Sequence, residues 1–156
     1  SDEWYTPRGV IERLLRMWPA IDLDPASNPG PIRNVPAARH HDIDDSGLAA
    51  RWSGRVFVNP PYGDALTDWA EKLVVEERNY DEAVVLVPAR TETRWFQKAA
   101  AAALVVTFAR DRIHFIRDDG HQARASFGSV FMAYGVRARD ALWEADLGWS
   151  TQRSAT

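Results

Sequence analysis

Short apolar runs and amphipathic stretches alternate along the chain. Residues 56–58 and 83–88 are almost wholly apolar, as expected of strands that are buried on both faces. Apolar residues recur at helical spacing through residues 10–18 and 66–74, and residues 95–103 are rich in alanine, so three helices are predicted. Alternating strand and helix patterns of this kind predict an α/β fold with parallel strands.

Weaker patterns predict the remaining strands, at residues 21–24, 38–41 and 104–108. Alternation on both sides of Asp119-Gly120 predicts that residues 110–135 form a β-hairpin with a long mobile loop. Residues 136–156 are expected to form an edge segment and a frayed tail. Thr6 and Asp64 are the predicted N-caps of the first two helices.

Composition is that of an ordinary globular protein. The chain has 156 residues, of which 46% are hydrophobic and 26% charged, and this suits one domain over residues 1–156. The absence of Cys excludes disulfides and thiolate metal sites. No run is long enough to span a membrane and no signal peptide is recognised, so a cytoplasmic protein is expected.

Charge gives nucleic-acid binding little general support, because the net charge is −3 and phosphate contacts favour a basic surface. Arginine nevertheless greatly outnumbers lysine, which occurs only at Lys72 and Lys98. The guanidinium group is the better phosphate ligand. A local arginine patch and a coding bias explain this preference equally well.

The candidate chemistry lies in residues 59–62, Asn-Pro-Pro-Tyr, directly after the apolar run 56–58. Two prolines end the strand, because they fix φ and lack the N–H that a ladder needs. The turn then presents the Asn59 amide, the Pro60 carbonyl and the Tyr62 ring at the edge of the sheet where α/β proteins bind ligands. Two fixed acceptors suit the hydrogens of an exocyclic amino group, and a ring suits stacking on a planar base. The alternative is a structural turn with no ligand.

Asn59-Pro60-Pro61-Tyr62 resembles the catalytic tetrapeptide of S-adenosylmethionine-dependent amino-methyltransferases. Over residues 3–135 the chain resembles the phage-type DNA N-6-adenine methyltransferases, through the ordered segments W-Y-T-P, D-L-D-P-A-S, D-D-S-G-L, W-S-G-R-V-F-V-N-P-P-Y and V-V-L-V-P-A-R-T. The resemblance implies a Rossmann-like S-adenosylmethionine-dependent methyltransferase fold with a C-terminal β-hairpin. Its first half is abbreviated, because only about 30 residues lie between Asp24 and Arg55.

The resemblance also implies a function, the transfer of a methyl group from S-adenosylmethionine to N6 of a flipped adenine in DNA. The enzyme would be an adenine-specific DNA methyltransferase with no separate target-recognition domain. The catalytic residues implied are Asn59, Pro60, Pro61 and Tyr62. The cofactor-binding residues implied are Trp4, Tyr5, Thr6, Pro7, Asp24, Pro25, Ala26, Ser27, Asp44, Asp45 and Asn59.

Polar residues after the run 83–88 and in the predicted hairpin loop are candidates for contacts with DNA. With Tyr62, the substrate-binding set is Arg90, Thr91, Arg94, Arg112 and Arg124. Helix capping and solvation are their alternative roles. No metal site is predicted, because His40 and His41 are adjacent on a strand and point to opposite faces.

Other acceptors stay open at this point. A glutamine side chain of a protein, an RNA base, or a non-catalytic module that binds S-adenosylmethionine or DNA would all fit the same pattern. DNA is the expected partner, and the protein is expected to be a monomer or a weak dimer.

Overall fold

The computed structural model describes residues 4–29, 33–42, 46–117 and 119–151. In chain order the helices and strands are α1 (Arg8–Leu14), β1 (Ile21–Asp24), β2 (Ala37–His40), β3 (Gly54–Val58), α2 (Leu66–Val75), β4 (Tyr80–Pro88), α3 (Arg94–Ala102), β5 (Val105–Ala109), β6 (His114–Ile116), β7 (Gln122–Arg124), β8 (Ser129–Tyr134), α4 (Val136–Glu144) and β9 (Gly148–Ser150). A 3-10 turn, Glu76–Arg78, extends α2.

Seven strands form one mixed sheet, in the order β2-β1-β3-β4-β8-β5-β9. The four strands β2, β1, β3 and β4 pair in parallel. Strand β8 runs antiparallel between β4 and β5, and β9 runs antiparallel to β5 at the edge. Strands β6 and β7 form a separate hairpin. The predicted α/β class is therefore confirmed, as a mixed sheet.

Helices cover both faces of this sheet. Ala83 and Tyr134 lie opposite each other in the β4–β8 ladder and so share a face, where the Tyr134 hydroxyl donates to the Ala99 carbonyl of α3. Glu82 points to the other face, because neighbouring strand residues alternate, and its carboxylate accepts from the Ala138 amide of α4. The buried residues of both layers form one hydrophobic core around β3, β4 and β8.

Most predicted elements are confirmed to within a few residues, including the short strand near 38–41. Both predicted caps were wrong. Helix α1 has Pro7 as its N-cap, because the Thr6 hydroxyl is directed to another partner, and α2 has Ala65 at that position, with no side-chain cap at either. Thr93 caps α3 through a hydrogen bond from the Phe96 amide.

The predicted hairpin over residues 110–135 was also wrong in its pairing. Strand β6 pairs with β7, which lies inside the predicted loop, whereas β8 joins the main sheet. All six residues of β8 are buried, and a strand of that kind needs neighbours on both edges, which a solvated hairpin cannot supply. Beyond β8, the predicted edge segment is confirmed in β9, but helix α4 was missed because its buried face is mainly the small residues Ala138 and Ala141.

Candidate active site

The turn 59–62 lies where the path of the chain diverges. Strand β1 has β2 on one side and β3 on the other, and the chain leaves β1 towards β2 but leaves β3 towards β4. A strand order of this kind opens a crevice beyond the carboxyl ends of β1 and β3. Pro25 directly follows β1 and Asn59 directly follows β3, so the Asp-Pro loop and the Asn-Pro-Pro-Tyr turn face the same crevice.

A cavity of about 410 Å³ occupies the crevice. Its walls come from six parts of the chain, comprising Trp4, Tyr5, Pro25, Ala26, Ser27, Asn28, Asp42, Ser46, Gly47, Leu48, Asn59, Pro60, Pro61 and Trp69. Gly47 is needed for the wall to close, since a Cβ there would lie 1.7 Å from the Pro25 carbonyl oxygen. The buried Trp52 ring supports this wall, because its Nε1 donates to the Gly47 carbonyl at 2.8 Å and the ring stacks on Trp69.

The Asn59 amide has a fixed orientation. Its Nδ2 donates to the Trp4 carbonyl at 2.5 Å and to the Thr6 hydroxyl at 3.0 Å. A backbone carbonyl can only accept, so the amide nitrogen and not the oxygen must face Trp4. The Asn59 Oδ1 atom is enclosed and has no hydrogen-bond partner. Both donors of the amide are therefore satisfied by the protein, and its acceptor is unused.

The loop after β1 is tied to the end of β2, because the Ser27 amide donates to the His41 carbonyl at 2.8 Å. The Ala26 amide donates to Asp24 Oδ1 at 3.2 Å, and the Arg33 guanidinium donates to the Ser27 hydroxyl at 2.8 Å and the Asn28 carbonyl at 2.7 Å. Asp24 is 3% exposed. Its burial raises the pKa of the carboxyl group to about 7, although the Ala26 amide and the Arg33 charge oppose the rise. This carboxyl group lies beside a small cavity of about 20 Å³, which Thr6 and Asn59 also line.

Tyr62 is buried rather than projecting, in contrast to the prediction. The side chain is 7% exposed, and its ring makes edge contacts with Phe115 at 6.2 Å and Phe127 at 5.3 Å between centroids. Trp4 contacts the same two phenyl rings, at 5.6 and 5.8 Å. Burial raises the pKa of the Tyr62 hydroxyl, which is enclosed without a hydrogen-bond partner. The hydroxyl is therefore closed off, and the contacts of the ring are made through its apolar surface.

Tyr62 also lines a second cavity, of about 380 Å³, on the other side of the turn. Residues of α2, of the β4–α3 connection and of the segment before β8 complete its lining, namely Gly63, Asp64, Leu66, Thr67, Pro88, Arg90, Thr93, Trp95 and Phe127. The Asn-Pro-Pro-Tyr turn thus separates two cavities, each large enough for a ligand of the size of a nucleoside.

The predicted polar residues divide between this second cavity and the surface. Arg90 lines the cavity, whereas Thr91 and Arg94 lie exposed beside it, and the Thr91 carbonyl accepts from Gln97. Arg124 is exposed at the end of β7, and Arg112 is half-buried with an enclosed Nη1 that lacks a hydrogen-bond partner.

The predicted cofactor residues are also mostly brought together. Trp4, Tyr5, Pro25, Ala26, Ser27 and Asn59 line the 410 Å³ cavity, and Asp24 and Thr6 adjoin it. Pro7 lines neither cavity among the described residues, because it is the N-cap of α1. Asp44 and Asp45 lie outside the described residues.

Comparison with known protein families shows which family this chain belongs to. The model of the DNA N-6-adenine-methyltransferase (Dam) family matches residues 1–137. The chain belongs to this family. It is therefore an enzyme, and its reaction is the methylation of adenine N6 in DNA. No curated protein matches the chain.

Several residues of this DNA adenine methyltransferase site were missed in the sequence. Asp42 lines the 410 Å³ cavity two residues after β2, and its carboxylate lies 3.7 Å from Arg33. An acidic residue that closely follows a predicted strand was the available signal. No signal in the sequence pointed to Trp69 or Phe127, since an aromatic residue on a helix or in a loop is usually a residue of the hydrophobic core.

The part of the chain that is described contains no group of three metal-ligating side chains. It also contains no helix long and apolar enough to cross a membrane.

Proposed function

We propose that this enzyme takes its methyl group from S-adenosylmethionine bound in the 410 Å³ cavity and holds the target adenine between Asn59 and Tyr62. The unused acceptor of Asn59 carries the proposal. A buried carbonyl without a partner is costly unless a ligand satisfies it, and an exocyclic amino group supplies the missing donor.

The cavity beyond β1 and β3 suits the cofactor in size and chemistry. Its volume of about 410 Å³ lies within the range of small-molecule sites, and its position matches the nucleotide crevice of Rossmann-like sheets. Asp42 would accept hydrogen bonds from the ribose hydroxyls, and Leu48 and Trp69 would contact the adenine ring. The loop of Ala26 and Ser27 would hold the methionine end.

The adenine would enter from the side of Tyr62. N6 lies inside the duplex, so the base must be extruded, at a cost of a few kcal/mol. Tyr62 would support the flat face of the base. Phe127 is half-buried against both Tyr62 and Trp4, and it is the ring that an incoming base would displace.

The transfer then depends on how N6 is held. S-adenosylmethionine, when bound, supplies an electrophilic methyl group on a positively charged sulfur. The Asn59 Oδ1 atom and the Pro60 carbonyl would accept the two hydrogens of N6, which turns the nitrogen lone pair out of the plane of the base. As the new N6–methyl bond forms, the sulfur–methyl bond would break and leave a neutral thioether, and N6 would release one proton to solvent water. Because the residues supply acceptors and alignment, most of the catalysis is positioning.

DNA would lie across the edge that carries both cavities. Arg90, Arg94 and Arg124 are exposed, and Arg90 lines the cavity beside Tyr62, so these side chains would contact the phosphates. Local arginines compensate for the net charge of −3.

The experiment compares Asn59→Ala with Asn79→Ala. Asn79 is a matched control, because its side chain is tied to Glu76 and Arg51, away from both cavities. Labelled cofactor, a DNA substrate and nucleoside analysis for N6-methyladenine measure activity, and calorimetry measures cofactor binding. Asn59→Ala should lower the methylation rate at least ~100-fold, as loss of a transition-state contact does, while cofactor affinity changes less than about threefold. Equal losses of rate and affinity, or an effect of the same size in Asn79→Ala, would contradict the proposal.

A further inference from the structure

The residues that precede α1 hold the Asn59 side chain. Thr6 is buried, with 3% of its surface exposed. Its hydroxyl oxygen accepts one hydrogen of the Asn59 amide at 3.0 Å, and the Trp4 carbonyl accepts the other. Pro7 follows as the extended N-cap of α1, so Thr6 does not cap the helix.

The two acceptors have different effects on the amide. The Trp4 carbonyl decides which end of the amide is the nitrogen and which the oxygen, because a flipped amide would set two acceptors against each other. The Thr6 hydroxyl accepts the second hydrogen and so fixes the rotation of the amide plane. Together they leave Oδ1 as the unused acceptor.

These acceptors are themselves held in place. Tyr5 and Ile116 form an isolated antiparallel bridge, with N–O distances of 2.9 and 3.0 Å between their backbones. The Arg117 guanidinium lies 4.6 Å from the centre of the Trp4 ring. The segment that contacts Asn59 is therefore fixed to the β6–β7 hairpin as well as to α1.

We propose that Thr6 is a positioning residue for methyl transfer, which acts by holding the Asn59 amide with its oxygen towards the adenine amino group. The proposal rests on the function proposed for Asn59. It differs from the cofactor contact that the family resemblance implies for Thr6, because a positioning role affects the rate of transfer and a contact role affects cofactor affinity.

The test uses Thr6→Val, which keeps the shape and removes the hydroxyl, and Thr6→Ser, which keeps the hydroxyl. Thr107→Val is the matched control: Thr107 is fully buried in β5, and its hydroxyl shares a hydrogen bond of 2.6 Å with Ser150. Loss of one such bond changes an equilibrium or rate about five- to tenfold. Thr6→Val should therefore lower the single-turnover methylation rate about five- to tenfold, with the dissociation constant for S-adenosylmethionine within twofold of wild type.

A variant that restores the hydroxyl, the control variant and an NMR measurement on the Asn59 amide complete the test. Thr6→Ser should recover the rate to within about twofold, and Thr107→Val should lower the thermal midpoint without changing the rate. In ¹⁵N NMR spectra, Thr6→Val should shift one of the two Asn59 amide protons upfield and speed its exchange with water, whether or not DNA is present.

Two results would overturn the inference. One is a Thr6→Val enzyme with wild-type single-turnover rate, and the other is a loss confined to cofactor affinity. Asn59→Ala separates this failure from that of the proposed function. If Asn59→Ala is inactive and Thr6→Val is normal, only the positioning role fails, whereas an active Asn59→Ala enzyme removes the basis of both.

Discussion

Replacing Asp24 by asparagine should change how the stability of this enzyme depends on pH. Asp24 ends β1 and is 3% exposed. Burial raises the pKa of its carboxyl group from the ordinary 3.8 to about 7, and the Ala26 amide, the Arg33 charge and the Ser27 hydroxyl only partly oppose this. Asparagine keeps an oxygen for the Ala26 amide and removes the ionisation.

The sign of this pH dependence follows from whether the folded or the unfolded state holds the Asp24 proton more tightly. The folded protein keeps the Asp24 proton up to a pH of about 7, whereas the unfolded chain loses it near 3.8. The free energy of unfolding should therefore fall as the pH rises from 3.8 towards 7. Each tenfold difference in proton affinity is worth ~1.4 kcal/mol, so the full loss of unfolding free energy is ~4 kcal/mol. Below pH 3.8 this group causes no loss of stability.

Denaturant unfolding at pH 5, 6, 7 and 8 measures this effect. The useful quantity is the difference between variant and wild type, because this difference cancels the contributions that the two proteins share. Asp24→Asn should become more stable than wild type as the pH rises, by about 2 to 3 kcal/mol at pH 8 relative to pH 5. Asp68→Asn, which removes an exposed carboxylate from α2, controls for the loss of one charge. Parallel curves for Asp24→Asn and wild type would refute the reasoning.

Under the proposed function, the same group links cofactor binding to pH. S-adenosylmethionine carries positive charge, which favours the ionised carboxylate nearby. Affinity for the cofactor should therefore rise between pH 5 and 7 in the wild type and stay flatter in Asp24→Asn. Titration calorimetry in two buffers of different ionisation enthalpy should detect proton release only in the wild type, and equal proton release in both proteins would count against the link.

Two further predictions concern the turn and the DNA-facing edge. Tyr62→Phe removes an enclosed hydroxyl without a partner, so stability should be unchanged or raised by ~1 kcal/mol and kcat/KM should stay within about threefold of wild type. Tyr62→Ala should lower kcat/KM about 10- to 100-fold, because stacking on the base is lost. An equal loss of kcat/KM in both variants would show that the hydroxyl is used. Arg90→Gln and Arg124→Gln should each reduce the salt dependence of DNA binding by about one counterion. Arg137→Gln, on the exposed side of α4, is the control and should leave the salt dependence unchanged. The same slope of log binding constant against log salt concentration for all three variants would contradict the proposed DNA edge.

The sequence predicted the strands and most helices because their patterns are local. The apolar run before Asn59 and the two prolines after it define both the end of β3 and the position of the motif. Strand pairing is not local, and the predicted pairing was wrong for this reason. The alternation in residues 129–134 fitted a hairpin, and only the buried place between β4 and β5 identified β8 as a strand of the main sheet.

The family, the strand that ends in Asn-Pro-Pro-Tyr and the order of the motifs along the chain could be read from the sequence, because these depend on residue types at fixed spacing. Only the tertiary structure decided that Trp4 and Thr6 take both hydrogens of the Asn59 amide and leave its oxygen unused. It also decided that Tyr62 is enclosed by Phe115 and Phe127. These contacts join residues more than 50 positions apart, and such contacts depend on how the sheet and hairpin pack.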